Sequence, residues 1–378
     1  MTTALIFWAS AAVVLYVYFG YPVLLLVWSR VRPKPVHTDL GEPPVSVVMA
    51  VRDEAEALER KIANLRSLDY PASHLQIVVV SDGRHPNTAA VLRRHAGIVD
   101  ALYVGRGGKA QALNAGVEAA RHDILVFADV RQRFDRQALH GLVAPLADPT
   151  VGGVSGELML DAEIGGGRRR SSNRPPPAHS TDIGEGLGGY WRYEKWLRRQ
   201  ESAIGSTMGA TGAIYALRKS LWKPLPAETI LDDVLAPMRA VLSASRVVFS
   251  SDALAFDPVA TSGVELRRKI RTLAGNYQIL RLEPRLLNPF RNPVWIQYMS
   301  HKVGRLLVPY ALMALLVASG LLIKTSPFYA LAFAAQLVFY ALAAYGAYLS
   351  RRDLRPAEST EEAGEASVNT LIKGTTTS

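Results

Sequence analysis

The sequence predicts an α/β protein anchored in a membrane. Two apolar runs of strand length each end abruptly in a carboxylate, Gln76-Ile-Val-Val-Val-Ser-Asp82 and Asp123-Ile-Leu-Val-Phe-Ala-Asp129. Strand-length runs alternate with helical stretches of about a dozen residues, the pattern of βαβ units around a parallel sheet. Long uncharged apolar segments flank this region on both sides. In open α/β sheets ligands sit just outside the carboxyl ends of the strands, so two acids delivered to one edge suggest a nucleotide site. The plainer reading of each is an Asp that caps its following turn.

The elements follow in order. Residues 4–28 are almost wholly apolar and long enough to cross a bilayer. Arg30, Arg32 and Lys34 come directly after them, which places the N-terminus outside and the next residues in the cytoplasm. A Pro-containing linker follows. Val45 to Val51 reads as a buried strand, and Glu54 to Leu68 as a helix that Pro71 stops. The strand ending at Asp82 precedes a helix near Asn87 to His95 and a short strand near Ala101 to Val104. Lys109 to Arg121 reads as helical and leads into the strand that ends at Asp129. Residues 165–189, rich in Gly, Arg and Pro, read as a mobile low-complexity loop inside a domain spanning 45–263. Tyr190 to Glu201 reads as an aromatic, charged helix. Residues 264–301 mix Arg with Trp295, Tyr298, Leu286 and Phe290, the look of amphipathic helices in a membrane interface. Residues 306–349 form a second apolar block broken at Lys324-Thr-Ser-Pro327, hence a transmembrane hairpin. Residues 351–378 are polar and expected to be disordered on the cytoplasmic side.

Composition narrows the function. The chain has 378 residues, a formal net charge of +10 and no Cys. Disulfides and Cys-bound zinc are excluded. The basic residues are dispersed or flank apolar segments, so a membrane and anionic ligands account for them better than nucleic acid does. No Gly-x-Gly-x-x-Gly follows a strand, so no dinucleotide cofactor is expected.

Several motifs fall in a fixed order. Val45-Ser-Val-Val-Met-Ala-Val-Arg-Asp-Glu54 opens the domain, then Val80-Ser-Asp-Gly83 and Gly108-Lys-Ala-Gln-Ala-Leu-Asn-Ala-Gly116. Lys109 stands at a loop-to-helix junction, where a helix N-terminus already favours phosphate. Asp129 is followed at the second position by Arg131. Gly209-Ala-Thr-Gly212, Thr229-Ile-Leu-Asp-Asp-Val234 and Arg267-Arg-Lys-Ile-Arg-Thr272 complete the set. Together they resemble the membrane-bound family 2 glycosyltransferases, the branch of cellulose, chitin and hyaluronan synthases. The resemblance covers Val45 to about Arg271 and the membrane helices.

That resemblance implies a GT-A-type, Rossmann-like mixed sheet facing the cytoplasm, with one N-terminal and two C-terminal membrane helices. It implies that Ala50 and Glu54 approach the nucleotide base, Asp82 holds the base or ribose, and Lys109 contacts the nucleotide. Asp129 matches the first Asp of a metal-binding Asp-x-Asp, so Mg²⁺ or Mn²⁺ is the expected cofactor. Arg131 departs from that motif: either Asp129 alone binds the metal with waters and phosphate oxygens, or Arg131 replaces part of the metal's charge, unless it simply pairs with a nearby acid such as Asp135. Asp233 is the expected general base, with Asp232 orienting it or competing for the role; both acids also suit a helix start. Gly209, Ala210, Thr211 and Gly212 match the acceptor-binding segment, unless they form a simple turn. Arg268 and Arg271 fall where synthases carry Gln-x-x-Arg-Trp, and Thr272 replaces the Trp. Trp191 is a candidate substitute for that aromatic platform.

The implied activity is inverting transfer from a nucleotide diphosphate sugar, a UDP-sugar by preference, to a lipid-linked or growing glycan acceptor at the cytoplasmic membrane. A processive polysaccharide synthase is the first alternative. A catalytically inactive binding or scaffold protein on the same fold is the second.

Overall fold

The computed structural model describes residues 1–160, 182–257 and 262–352. The Arg-rich stretch before residue 182 and the tail after residue 352 therefore lie outside the described residues. The chain divides into two compact units, Val13–Val259 with Ile270–Pro309, and Met1–Ala12 with Ala260–Lys269 and Tyr310–Ser378.

The first unit is built on one eight-stranded mixed sheet. Strand β1 (Val45–Val51) lies between β2 (Leu75–Asp82) and β4 (Ile124–Ala128), parallel to both, and β3 (Asp100–Val104) extends the parallel part beyond β2. The sheet order is β3-β2-β1-β4-β7-β6-β8-β5, where β5 is Arg133–Phe134, β6 Val151–Leu160, β7 Ile214–Arg218 and β8 Arg246–Asp257. Strand β7 runs antiparallel to both β4 and β6. The sheet is therefore mixed, where strand alternation alone had given a parallel sheet.

The apolar runs are continuous because both faces of the sheet are covered. Val47 and Met49 pack with Leu58, Ile62 and Leu65 of helix α2 (Ala55–Arg66). Val48 and Val80 face the other way, against Leu113 and Val117 of α4 (Gly108–Ala119). A Cβ at Gly116 would lie 2.5 Å from Val48 Cγ1 and 3.1 Å from Val80 Cγ2, so α4 touches the sheet with its backbone. That contact seats the C-terminal half of α4, the helix whose first turn carries Lys109. The intervening helices are α1 (Thr2–Val31) and α3 (Pro86–Arg94).

Downstream come α5 (Ala138–Val143), α6 (Asp182–Ile204), α7 (Asp232–Leu242) and α8 (Ser262–Leu282). Helix α6 opens at Asp182, so part of the expected 165–189 loop is helix. Its glycines, Gly184, Gly186, Gly188 and Gly189, hide the helical signal in the sequence. Helix α6 is bound to its neighbours by polar contacts. The Tyr21 hydroxyl donates to Glu201 at 2.8 Å, Ser29 donates to Gln200 at 2.5 Å, and His301 Nδ1 lies 2.6 Å from the same Glu201 oxygen. Glu201 is 0% exposed.

Among the described residues three helices are long and apolar enough to cross a membrane: α1, α9 (Trp295–Leu321) and Pro327–Leu349 within α10 (Pro327–Arg352). Helix α9 begins at Trp295, so residues assigned by sequence to the interfacial segment continue directly into a membrane-length helix. In the second unit, α9 and α10 meet closely, with the ring of Phe333 3.2 Å from where a Gly320 Cβ would stand, and Gln336 donating to Ser319 at 3.2 Å.

Replacing Gly116 with Val should overpack the contact between α4 and the sheet and cost about 1–3 kcal/mol. A fall in the thermal midpoint of the purified protein checks this; an unchanged midpoint would mean that the helix can lift without cost.

Candidate active site

The site lies at the carboxyl edge of β1, β2 and β4. Asp82 ends β2 and is 5% exposed. Its Oδ1 accepts the backbone N–H groups of Gly107 at 2.9 Å and Gly108 at 3.2 Å. Gly108 sits at φ +82°, a left-handed conformation that glycine takes without strain. Asp82 thus ties down the loop that presents Lys109. One of its two carboxylate oxygens is spent on the chain itself, as in the turn-capping reading.

Lys109 then reaches across the edge. Its Nζ stands 3.0 Å from Asp129 Oδ1 and 3.2 Å from Asp232 Oδ1. Burial opposes the ammonium charge, but Asp232, Asp129 and Asp233 outweigh that cost and hold its pKa above the ordinary lysine value. One cation therefore joins the end of β4 to the start of α7.

Asp232 and Asp233 open α7, and the N-cap is Leu231, which has no side-chain cap bond. The two acids are thus first-turn residues, where the helix dipole favours negative charge. Asp232 is buried, at 5% exposure. Asp233 lies under the Gly209–Gly212 segment: Gly212 N–H donates to its Oδ2 at 3.0 Å, and Ala210 N–H donates to its backbone carbonyl at 2.7 Å. A Cβ at Gly212 would stand 2.9 Å from Oδ2, so only glycine permits this approach. Burial, then Asp232, push the Asp233 carboxyl up to about 6, with Lys109 pulling against them. The dipole and the Gly212 bond do not overcome burial. A carboxylate poised near neutrality suits a general base.

Thr211 of the same segment lines a solvent-connected cleft together with Trp191, Glu194, Lys195, Arg198 and Glu157, among others. Arg198 donates to Thr211 Oγ1 at 2.5 Å, and Lys195 pairs with Glu157 at 3.3 Å. Two expected acceptor residues, Trp191 and Thr211, thus line the same cleft, next to the glycine that touches Asp233.

The remaining expected residues are more dispersed. Ala50 is half-buried near the end of β1, and Glu54 is exposed just before α2. Between them Asp53 takes φ +47° and lies 3.8 Å from His85 Nδ1. Arg271 donates to the Ile230 carbonyl at 3.3 Å, which braces the segment leading into Asp232. Arg268 lies one turn earlier on α8. Arg131 is exposed and pairs with no acid among the described residues, and Asp135 instead accepts the Gln137 N–H.

Sequence reasoning missed Lys61. It is 2% exposed, donates to the Gln132 carbonyl at 2.8 Å and stands 3.4 Å above the centre of the Phe134 ring. Burial lowers its pKa to about 7, with Asp129 pulling the other way. The signal was present, since Lys61 interrupts the apolar face that Leu58, Ile62 and Leu65 define. Tyr215 was missed too; it is buried, stacked on Phe127 at 4.6 Å, and its hydroxyl has no partner among the described residues.

The residues fit a two-acid metal clamp poorly. Arg131 occupies the second position, Lys109 engages the first, and no group of three His, Cys, Asp or Glu suited to a metal occurs among the described residues.

A strand-end acid, a loop-to-helix lysine and a helix-borne pair of acids stand along one edge of a GT-A-like mixed sheet. Comparison of folds agrees. The mannosyltransferase PcManGT from Pyrobaculum calidifontis, solved in complex with GDP-Man and Mn²⁺, superposes with a TM-score of 0.69 at 23% identity, covering 93% of this chain and 94% of that one. Residues 46–223 match Glycosyl transferase family 2. Among curated proteins it is similar to the poly-beta-1,6-N-acetyl-D-glucosamine synthase of Staphylococcus aureus (strain COL), 21% identical over 244 residues, which are 62% of this chain and 55% of that protein. The same synthase of Staphylococcus epidermidis (strain RP62A) is 22% identical over 245 residues, with the same coverage. The chain thus spans about half the length of the curated relatives it matches.

Replacing Asp82 with Ala should leave the Gly107 and Gly108 N–H groups without their acceptor, at a cost of about 1–3 kcal/mol. A lower thermal midpoint together with weaker binding of a nucleoside diphosphate is expected. A loss of binding with no change in the midpoint would show that Asp82 acts on the ligand alone.

Proposed function

We propose that the protein is an inverting glycosyltransferase that moves a sugar from a nucleoside diphosphate sugar to a lipid-linked or growing glycan acceptor at the membrane surface. The observation that carries this reading is Asp233, a carboxylate raised to about 6 and bonded to Gly212, whose chain neighbour Thr211 lines a cleft with Trp191. The acceptor hydroxyl loses its proton to Asp233 as its oxygen attacks the anomeric carbon. The bond from that carbon to the diphosphate oxygen breaks, and the nucleoside diphosphate leaves from the opposite face. Asp232 and Lys109 keep Asp233 in register, while Ala50, Glu54 and the Asp82-anchored loop line the nucleotide side. Asp129 faces the diphosphate. Gly209 to Gly212 and Trp191 receive the acceptor, and Arg268 with Arg271 gates the diphosphate and acceptor, Arg271 also bracing the segment that leads into α7.

A UDP-sugar is the donor that the family resemblance favours, whereas the solved relative binds GDP-Man. The charges after α1, Arg30, Arg32 and Lys34, support a cytoplasmic catalytic domain and an external N-terminus. A processive synthase is the second reading, supported by the polymer-forming activity for which the curated relatives are named. Thr272, in place of the expected Trp, favours single addition.

Replacing Asp233 with Asn should lower turnover by about 10²–10⁴-fold, the usual contribution of a general base. The wild-type rate should fall as pH drops through about 6, because the base must be ionised. The same variant should raise the thermal midpoint at pH 8. A folded-state pKa above the unfolded one stabilises the fold only while the proton is held, and that contribution is lost as pH rises through the folded value. Release of nucleoside diphosphate from a panel of donors, measured against pH, checks both halves; undiminished turnover in Asp233→Asn removes the base assignment. Radiolabelled donor with purified protein should give a single-addition product, and a long polymer would select the processive reading.

A further inference from the structure

We propose that the protein neutralises the donor diphosphate with its own cations, Arg131 and Lys109, and that donor binding needs no divalent metal. The proposal rests on the nucleotide-sugar reading of this site and concerns how that ligand's charge is met.

Mg²⁺ at a phosphate site is usually held by one or two carboxylates together with phosphate oxygens. The Asp-x-Asp arrangement supplies those acids from the end of a strand. Here the second acid is replaced by a guanidinium, and the first is already engaged. Lys109 Nζ stands 3.0 Å from Asp129 Oδ1 and 3.2 Å from Asp232 Oδ1. An ammonium therefore fills the position between two carboxylates where a bridging cation would sit. A metal entering there would have to displace a doubly paired lysine.

The surroundings add to that barrier. Arg131 is exposed beside Asp129 and has no acid partner among the described residues. Lys61 is buried behind the same loop, bonded to the Gln132 carbonyl and within electrostatic reach of Asp129. Asn64 also grips this loop, donating to the Phe134 carbonyl at 3.0 Å and accepting the Phe134 N–H at 2.7 Å. The turn that presents Arg131 is thus clamped from below by α2. A guanidinium held in this way offers a planar pair of N–H donors that match phosphate oxygens. A diphosphate meets cations here, and Lys109, whose ammonium has three N–H donors, can reach a phosphate oxygen while keeping both carboxylates.

The test is titration of UDP and, separately, GDP into the full chain in lipid nanodiscs. Heat of binding is followed in EDTA and in Mn²⁺, and Mn²⁺ itself by electron paramagnetic resonance. At least one nucleotide should bind in EDTA with a Kd within about threefold of its value in Mn²⁺, and the Mn²⁺ spectrum should stay that of the free ion. Arg131→Asp restores the second acid at an exposed position. It should lose about tenfold or more of its affinity in EDTA, regain it with Mn²⁺ and show a bound Mn²⁺ spectrum. Arg131→Lys should keep metal-free binding, though weaker. Wild-type binding that requires Mn²⁺ and shows the bound ion would overturn the proposal and leave the donor reading standing. No binding of either nucleotide in either condition would overturn both.

Discussion

The site depends on one ammonium. Lys109 joins Asp129 at the end of β4 to Asp232 at the start of α7, two elements that are far apart in sequence. Without it, two buried or half-buried carboxylates would face each other unneutralised, a cost that pairing avoids. Much of the surrounding structure serves its placement. Asp82 holds the loop before it, Gly108 lets that loop turn, and Gly116 lets α4 settle against Val48 and Val80. The sheet, the helix and the acid pair are therefore one mechanical arrangement with a charge at its centre.

Asp233 is set apart from that charge. Its neighbour Asp232 takes the closer contact with Lys109, while Asp233 receives the Gly212 N–H and the pressure of burial. Two adjacent acids on one helical turn thus differ in their surroundings. The difference leaves one carboxylate paired within the frame and raises the pKa of the other toward neutrality.

Much of this was legible in the sequence. Strands buried on both faces write themselves as unbroken apolar runs, so β1, β2 and β4 and the acids at their ends could be read directly. Lys109, Asp129, Asp232 and Asp233 were identified by their motifs, and the structure brings them together. What the sequence hid has physical reasons. Four glycines mask the start of α6. The hydrogen bonds of Asp82 depend on a loop whose fold no local pattern shows. Lys61 carries a charge on an apolar face, and only the packed structure reveals a carbonyl and an aromatic ring around it. The antiparallel placement of β7 beside β4 is a matter of topology, to which side-chain periodicity is blind.

The polar seam along α6 has a separate implication. Glu201 is fully buried, and its contacts come from Tyr21 on α1 and His301 on α9, while Arg305 of α9 holds Glu194 at 2.5 Å. These partners belong to the two apolar helices and not to the sheet. A sheet domain cut free of those helices would lose both partners of Glu201 and bare its carboxylate, and α6, which carries Trp191, would lose its contacts with α1 and α9. The cleft wall and the apolar helices are in this sense one inheritance: a lineage could not shed those helices without also rewriting α6.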